Sequence, residues 1–194
     1  QLPARIKHRE PKQQTIVIQG FPGVDIKDPR VDALAVLENA LSGMSSDLFT
    51  EVRDKRGLAY FCGAFDRPGL EPGLFALYAG TREEASDQVE KLFNEELERL
   101  RAKGLREEEL QRARAQIVAS QEMSLQDNGQ LAQTCALDEL YGLGYGYSFT
   151  IGERMKALTL DGIRKVADEL FQPDRCAVSL VFPEKTETKE GATP

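Results

Sequence analysis

The apolar positions of the chain follow two periods, and the switches between them outline a fold. β-branched residues crowd 14–19 (QTIVIQ), which predicts a strand. GFPGVDIKDP follows, turn chemistry with two glycines and two prolines, and Asp28 is placed to cap a helix that opens on Pro29. Val31, Leu34, Leu37 and Leu41 then recur at helical spacing until Ser42-Gly43 breaks the run. A second short helix over 45–55 carries Leu48, Phe49 and Val52 inward and stops before Gly57. The stretches 58–66 and 73–80 read as two strands of an antiparallel hairpin turned by RPGLEP.

The second half of the chain reads as helical. Thr81 with Glu84 has the spacing of a capping box, ahead of a long helix with Val89, Leu92, Phe93, Leu97 and Leu100 on one stripe. Lys103-Gly104 closes it. Another long helix is predicted over 106–127, and so short a link predicts an antiparallel helical hairpin. Three further helical stretches follow, the last with Ile163, Val166, Ala167 and Leu170 on its face, and then a closing strand at 176–182. Residues 1–10 are expected to be a flexible N-terminal segment, 11–183 the domain, and the polar run 184–194 a disordered tail. No strict βαβ alternation is present, so the expected class is α+β: a mostly antiparallel sheet with helices packed on one face.

Composition narrows the function. The chain of 194 residues carries a net charge of −7, a poor match to nucleic acid, whose phosphates are bound by clustered Lys and Arg. No apolar run is long enough to span a membrane, and no signal core opens the sequence, so a soluble protein is expected, cytoplasmic or periplasmic. Cys62, Cys135 and Cys176 are far apart and odd in number, and read as buried or half-buried free thiols. The one histidine, His8, lies in the N-terminal segment and reads as solvated. The sequence has no H-E-x-x-H or its inverse, no P-loop and no C-x-x-C. GLGYGY (142–147) follows a helix-like stretch rather than a strand, and the acidic run of REEEL suits the first turn of a helix.

EVRDKRGLAYF (51–61) remains, with Arg53 and Tyr60 on either side of a helix-to-strand switch. One reading makes Arg53 a surface charge and Tyr60 a half-buried strand residue. The other brings them together to clasp a peptide: a guanidinium forks onto a carbonyl or carboxylate, and a phenol donates to a developing oxyanion. Neither group activates a nucleophile at neutral pH.

QTIVIQGFPG, LENALSGMSSDLFTEVRDKRGLAYFCGAF and GLFALYAGT, with KGLREEELQRARAQIVAS, TLDGIRKVADELF and VSLVF in that order, resemble the C-terminal-type domain of the M16 zinc peptidases, the relatives of pitrilysin, insulin-degrading enzyme and mitochondrial processing peptidase. The resemblance implies a LuxS/MPP-like metallohydrolase fold. It also implies two homologous halves that close around a peptide. One half carries H-x-x-E-H and binds zinc; the other lacks those ligands and lends an Arg and a Tyr to the active site. Arg53 and Tyr60 match that pair, Arg53 for orienting the substrate backbone and Tyr60 for stabilising the oxyanion. The resemblance thus implies no metal or cofactor in this chain, zinc in a partner half of the same polypeptide or a separate subunit, and a peptide substrate. A start at Gln1 without Met fits a piece of such a two-half protein. The rival expectation is a structural scaffold subunit of a larger complex, with no peptidase role.

Overall fold

A computed structural model describes residues 2–184. Strands β1 (Ala4–Glu10), β2 (Thr15–Pro22), β3 (Ala59–Arg67), β4 (Leu74–Thr81) and β5 (Ala177–Pro183) form one sheet in the order β1-β5-β2-β4-β3. Three of its pairings are antiparallel, and β1 runs parallel to β5. The helices are α1 (Val31–Leu41), α2 (Asp47–Phe49), α3 (Ser86–Lys103), α4 (Glu107–Ser124), α5 (Asn128–Leu140), α6 (Ile151–Ala157) and α7 (Leu160–Leu170). The class is therefore α+β, as the order of elements predicts.

Alternation along the strands sorts the two faces of the sheet. Val17, Phe21, Phe75, Leu77 and Leu180 are fully buried beneath α1, α3 and α7. Phe171, just past α7, stands 5.4 Å from Phe21 and 4.8 Å from Phe75, ring centre to ring centre, and pins the helical layer to the sheet. The residues out of phase with these look the other way. Ile16, Ile18, Tyr78 and Val181 are half-buried there, and Ile6, Phe61 and Leu74 are exposed.

Four expectations need correction. Residues Ala4–Glu10 are not a flexible lead-in but β1, which pairs with β5 along its whole length. The strand has almost no apolar side chains to betray it. Main-chain bonding holds it, together with Arg5 on Glu90 and Asp87, and Arg9 on Glu83 and over the Phe182 ring. Charges on such an edge also discourage further strand pairing. Second, α1 begins at Val31 rather than at Pro29, and the Asp28 carboxylate accepts the Arg30 N–H at 2.8 Å. Third, no Thr81–Glu84 capping box forms. Thr81 ends β4 and gives its hydroxyl proton to the Leu58 carbonyl, and α3 starts after a 3-10 turn. Fourth, α3 and α4 are not a packed hairpin. Gly104 turns the chain at a φ of 74°, Leu105 is buried in the core, α4 packs on α1, and α3 packs on α7. The expected tail lies, from residue 185 onward, outside the described residues.

Candidate functional site

Arg53 and Tyr60 flank one turn. α2 runs on into a π-helical turn (Thr50–Lys55), a wide form frequent at functional sites. Gly57 stops it in the left-handed region at a φ of 59°. The Gly57 N–H reaches the Arg53 carbonyl at 2.9 Å, and the Leu58 N–H reaches that of Val52 at 2.9 Å. This is a glycine stop widened by one residue. The exposed Arg53 guanidinium lies over the buried Phe49 ring, 4.9 Å from its centre, and forms no ion pair among the described residues.

β3 begins with an irregularity that decides where Tyr60 points. Ala59 stands opposite Thr81 and Phe61 opposite Gly80, so Tyr60 is an extra residue with no partner in β4. In strict alternation Tyr60 would share the covered face of Cys62 and Ala64. The bulge turns it out, leaving Tyr60 56% and its neighbour Phe61 41% exposed. Glycine at position 80 leaves room for the Phe61 ring, which a Cβ there would meet at 2.4 Å. Both sequence-predicted residues thus border the same turn with exposed side chains. No hydrogen bond or ring contact joins the two, since the guanidinium rests on Phe49 instead.

Sequence reasoning missed two neighbouring features. Phe61, Tyr78 and Phe65 form an aromatic row across β3 and β4, with ring centres 6.1 and 6.0 Å apart, and Arg67 lies 5.6 Å from the Phe65 ring centre. The only signal of the row was the aromatic residue recurring in both hairpin strands. The second feature is a plug on the outer edge of β3. Ser42 Oγ donates to the Ala64 carbonyl at 3.0 Å and accepts the Ala64 N–H at 3.1 Å. An added strand therefore cannot pair at Ala64.

The plugged end also holds a pair of carboxyls. Burial pushes Asp66 up to about 6, the like charge of Glu38 adds to this, and Asp66 Oδ1 has no hydrogen-bond partner among the described residues. Burial raises Glu38 as well. The folded protein thus keeps a proton on Asp66 where the unfolded chain has lost it. Its contribution to stability is complete below about pH 4, near the ordinary carboxyl value, and is lost as the pH rises through about 6. Asp66→Asn is expected to stabilise the fold by about 1–2 kcal/mol at pH 7.5 and to flatten the pH dependence of Tm between about pH 4 and 6. Thermal melts at several pH values check this, and an unchanged midpoint at pH 7.5 rejects it.

The other chemistry nearby is inert. Burial pushes the Cys62 thiol up to about 11 against the opposing pull of Arg53, so it is not a thiolate nucleophile at neutral pH. Among the described residues no group of three or more His, Cys, Asp or Glu is placed to hold a metal ion. His8, on β1, contacts Glu10 at 2.8 Å and is largely exposed. The described residues therefore do not offer a zinc site. No helix of the described residues is long and apolar enough to cross a membrane.

A family profile described as the peptidase M16 inactive domain matches residues 1–117, which include β1 to β4, Arg53 and Tyr60. The chain belongs to the peptidase M16 inactive-domain family. A protein of Streptomyces coelicolor named an uncharacterized zinc protease is 36% identical over 177 residues, covering 89% of this M16 domain and 38% of that protein. Bacillus subtilis YmxG, also named an uncharacterized zinc protease, is 28% identical over 181 residues, covering 92% of this domain and 44% of that protein. The domain thus spans less than half the length of these curated relatives. A solved M16 inactive domain from Pseudomonas fluorescens shares the fold, with a TM-score of 0.79 at 22% identity over 93% of this chain and 43% of that one.

Proposed function

We propose that this M16 inactive domain is the non-catalytic, substrate-binding half of a zinc metalloendopeptidase and completes the active site of a zinc-bearing half. That half is either part of the same polypeptide or a separate subunit, and the substrate is a peptide. The observation that carries the reading is the bulge at Tyr60. It exposes a phenol one turn away from a guanidinium with no ion-pair partner, in a domain whose relatives are named zinc proteases and whose described residues offer no metal site.

Each group has one task. Arg53, braced on Phe49, offers a planar fork of donors to a substrate carbonyl or carboxylate and so fixes the peptide backbone. Tyr60 offers an O–H to the oxygen that gains charge as the peptide carbonyl is attacked. Neither side chain can supply the attacking group, so hydrolysis belongs to the other half. The isolated domain is expected to bind no stoichiometric zinc and to cleave no peptide, whereas the two halves together cleave. Metal analysis and a fluorogenic peptide assay on the separate and combined halves test this. Cleavage by the isolated domain, or undiminished cleavage by the zinc half without it, rejects the proposal. A combined protein without any peptidase activity favours the scaffold role instead.

A further inference from the structure

The bulge that exposes Tyr60 also fixes what lies beside it. Tyr60 and Phe61 are consecutive and both turned to solvent, so Phe61 is the next open side chain along β3 for a chain held at Tyr60. From Phe61 the open face of the hairpin continues through Tyr78 to Phe65, with Leu74 exposed beyond. Alternation leaves this part of β3 and β4 with a single charged side chain, Arg67 at the far end of β3. Arg67 is exposed, lies over the Phe65 ring, donates to the Asp66 carbonyl at 3.0 Å and, like Arg53, forms no ion pair among the described residues. In a chain of net charge −7, an apolar aromatic surface thus stands between two exposed guanidiniums that form no ion pair among the described residues.

We infer that this face is a substrate subsite, selecting extended peptides with bulky apolar side chains near the cleaved bond and an acidic residue farther along that reaches Arg67. The inference rests on the proposed function and names the substrate class of that site. An aromatic row suits apolar side chains because it desolvates them without demanding one shape. Charge complementarity selects the acid: a carboxylate meets an exposed guanidinium that keeps donors beyond its one bond to the Asp66 carbonyl, whereas a lysine there meets a like charge. Arg67 lies seven positions after Tyr60 in the sequence, one of them taken up by the bulge, and at about 3.3 Å per residue an extended peptide covers the same distance in six or seven residues. The Ser42 plug keeps the edge of β3 from pairing at Ala64, so the peptide is held through its side chains on the face rather than as a sixth strand there.

The test uses this domain combined with its zinc-bearing half and three fluorogenic peptides that share one cleavage sequence. The first has Phe and Leu beside the bond and Glu seven residues away. The second replaces that Glu with Lys, and the third replaces the apolar residues with Ser. The wild-type protein is expected to prefer the first by about tenfold in kcat/KM, mainly through KM. Arg67→Glu is expected to reverse the preference between the first and second peptides, and Phe65→Ala to remove most of the preference over the third. Equal handling of all three peptides by the wild type, or an Arg67→Glu variant that slows all three alike, overturns the subsite. A variant that instead loses association with the zinc half, seen by sedimentation, shows that the partner covers this face and also overturns it. The catalytic reading is judged separately: a Tyr60→Phe protein that keeps full activity rejects that role even if the peptide preferences hold. Failure to cleave or to bind any of the peptides rejects both.

Discussion

Tyr60→Phe is expected to lower kcat/KM on the order of a hundredfold in the combined two-half protein, with Tm unchanged. The substitution removes one hydroxyl and leaves the ring. Tyr60 is 56% exposed and sits in a bulge without a cross-strand partner, so the fold loses no packing and no ladder bond. The phenol is needed only when the carbonyl oxygen becomes negative, which places its loss in kcat rather than KM. Arg53→Ala should behave differently. A guanidinium that grips the backbone binds ground state and transition state alike, so KM rises with a smaller change in kcat, by about tenfold in kcat/KM. Arg53→Lys should not restore the wild type, because a point charge cannot fork onto a carbonyl and lies less well over Phe49. Steady-state kinetics with one peptide at several concentrations separate the two effects. Both variants at full kcat/KM would remove Arg53 and Tyr60 from the active site and leave a scaffold.

The parts of the fold written in turn chemistry and long apolar stripes were legible in the sequence. RPGLEP marked the hairpin to within a residue, and the glycine at 57 marked the stop that separates Arg53 from Tyr60. β1 was not legible, because an edge strand held by main-chain bonds and ion pairs shows no alternation. The helical hairpin was misread because a short link fixes only that two helices are neighbours in sequence. Burial of Leu105 and the turn at Gly104 send α4 to α1 instead. The site was half legible. AYFCGAF alternates as if Tyr60 faced the core with Cys62, and a one-residue bulge reverses that without any local mark. The aromatic row on the open face needs the register of β3 against β4, which sequence alone does not supply.

Among the polar side chains, Glu109→Ala is expected to bring a large loss of stability, about 3 kcal/mol, or a fall in Tm of roughly 6–12 °C for a domain of this size. Glu109 is buried at the start of α4, 2% exposed, and its carboxylate is fully engaged. It accepts the Arg106 N–H at 2.6 Å, an Arg106 guanidinium N–H at 3.1 Å and one from Arg99 at 3.1 Å. Arg106 in turn grips Asp47 with two bonds of 2.8 and 2.9 Å, and Arg99 is held by Glu96 at 2.7 Å. The cluster ties the starts of α2 and α4 to α3, and α2 is the helix that runs on into the turn bearing Arg53. Alanine leaves a cap N–H without its acceptor and a partly buried guanidinium short of a counter-charge, whereas an exposed pair would contribute at most about 1 kcal/mol. Glu109→Gln keeps an acceptor for the N–H and loses only the charge, so it should fall between alanine and the wild type. Because the carboxylate is buried, added salt should change these differences little. Calorimetric melts of the three proteins decide it. A Glu109→Ala midpoint within 2 °C of the wild type would mean that the helices hold the Arg53 turn by apolar packing alone.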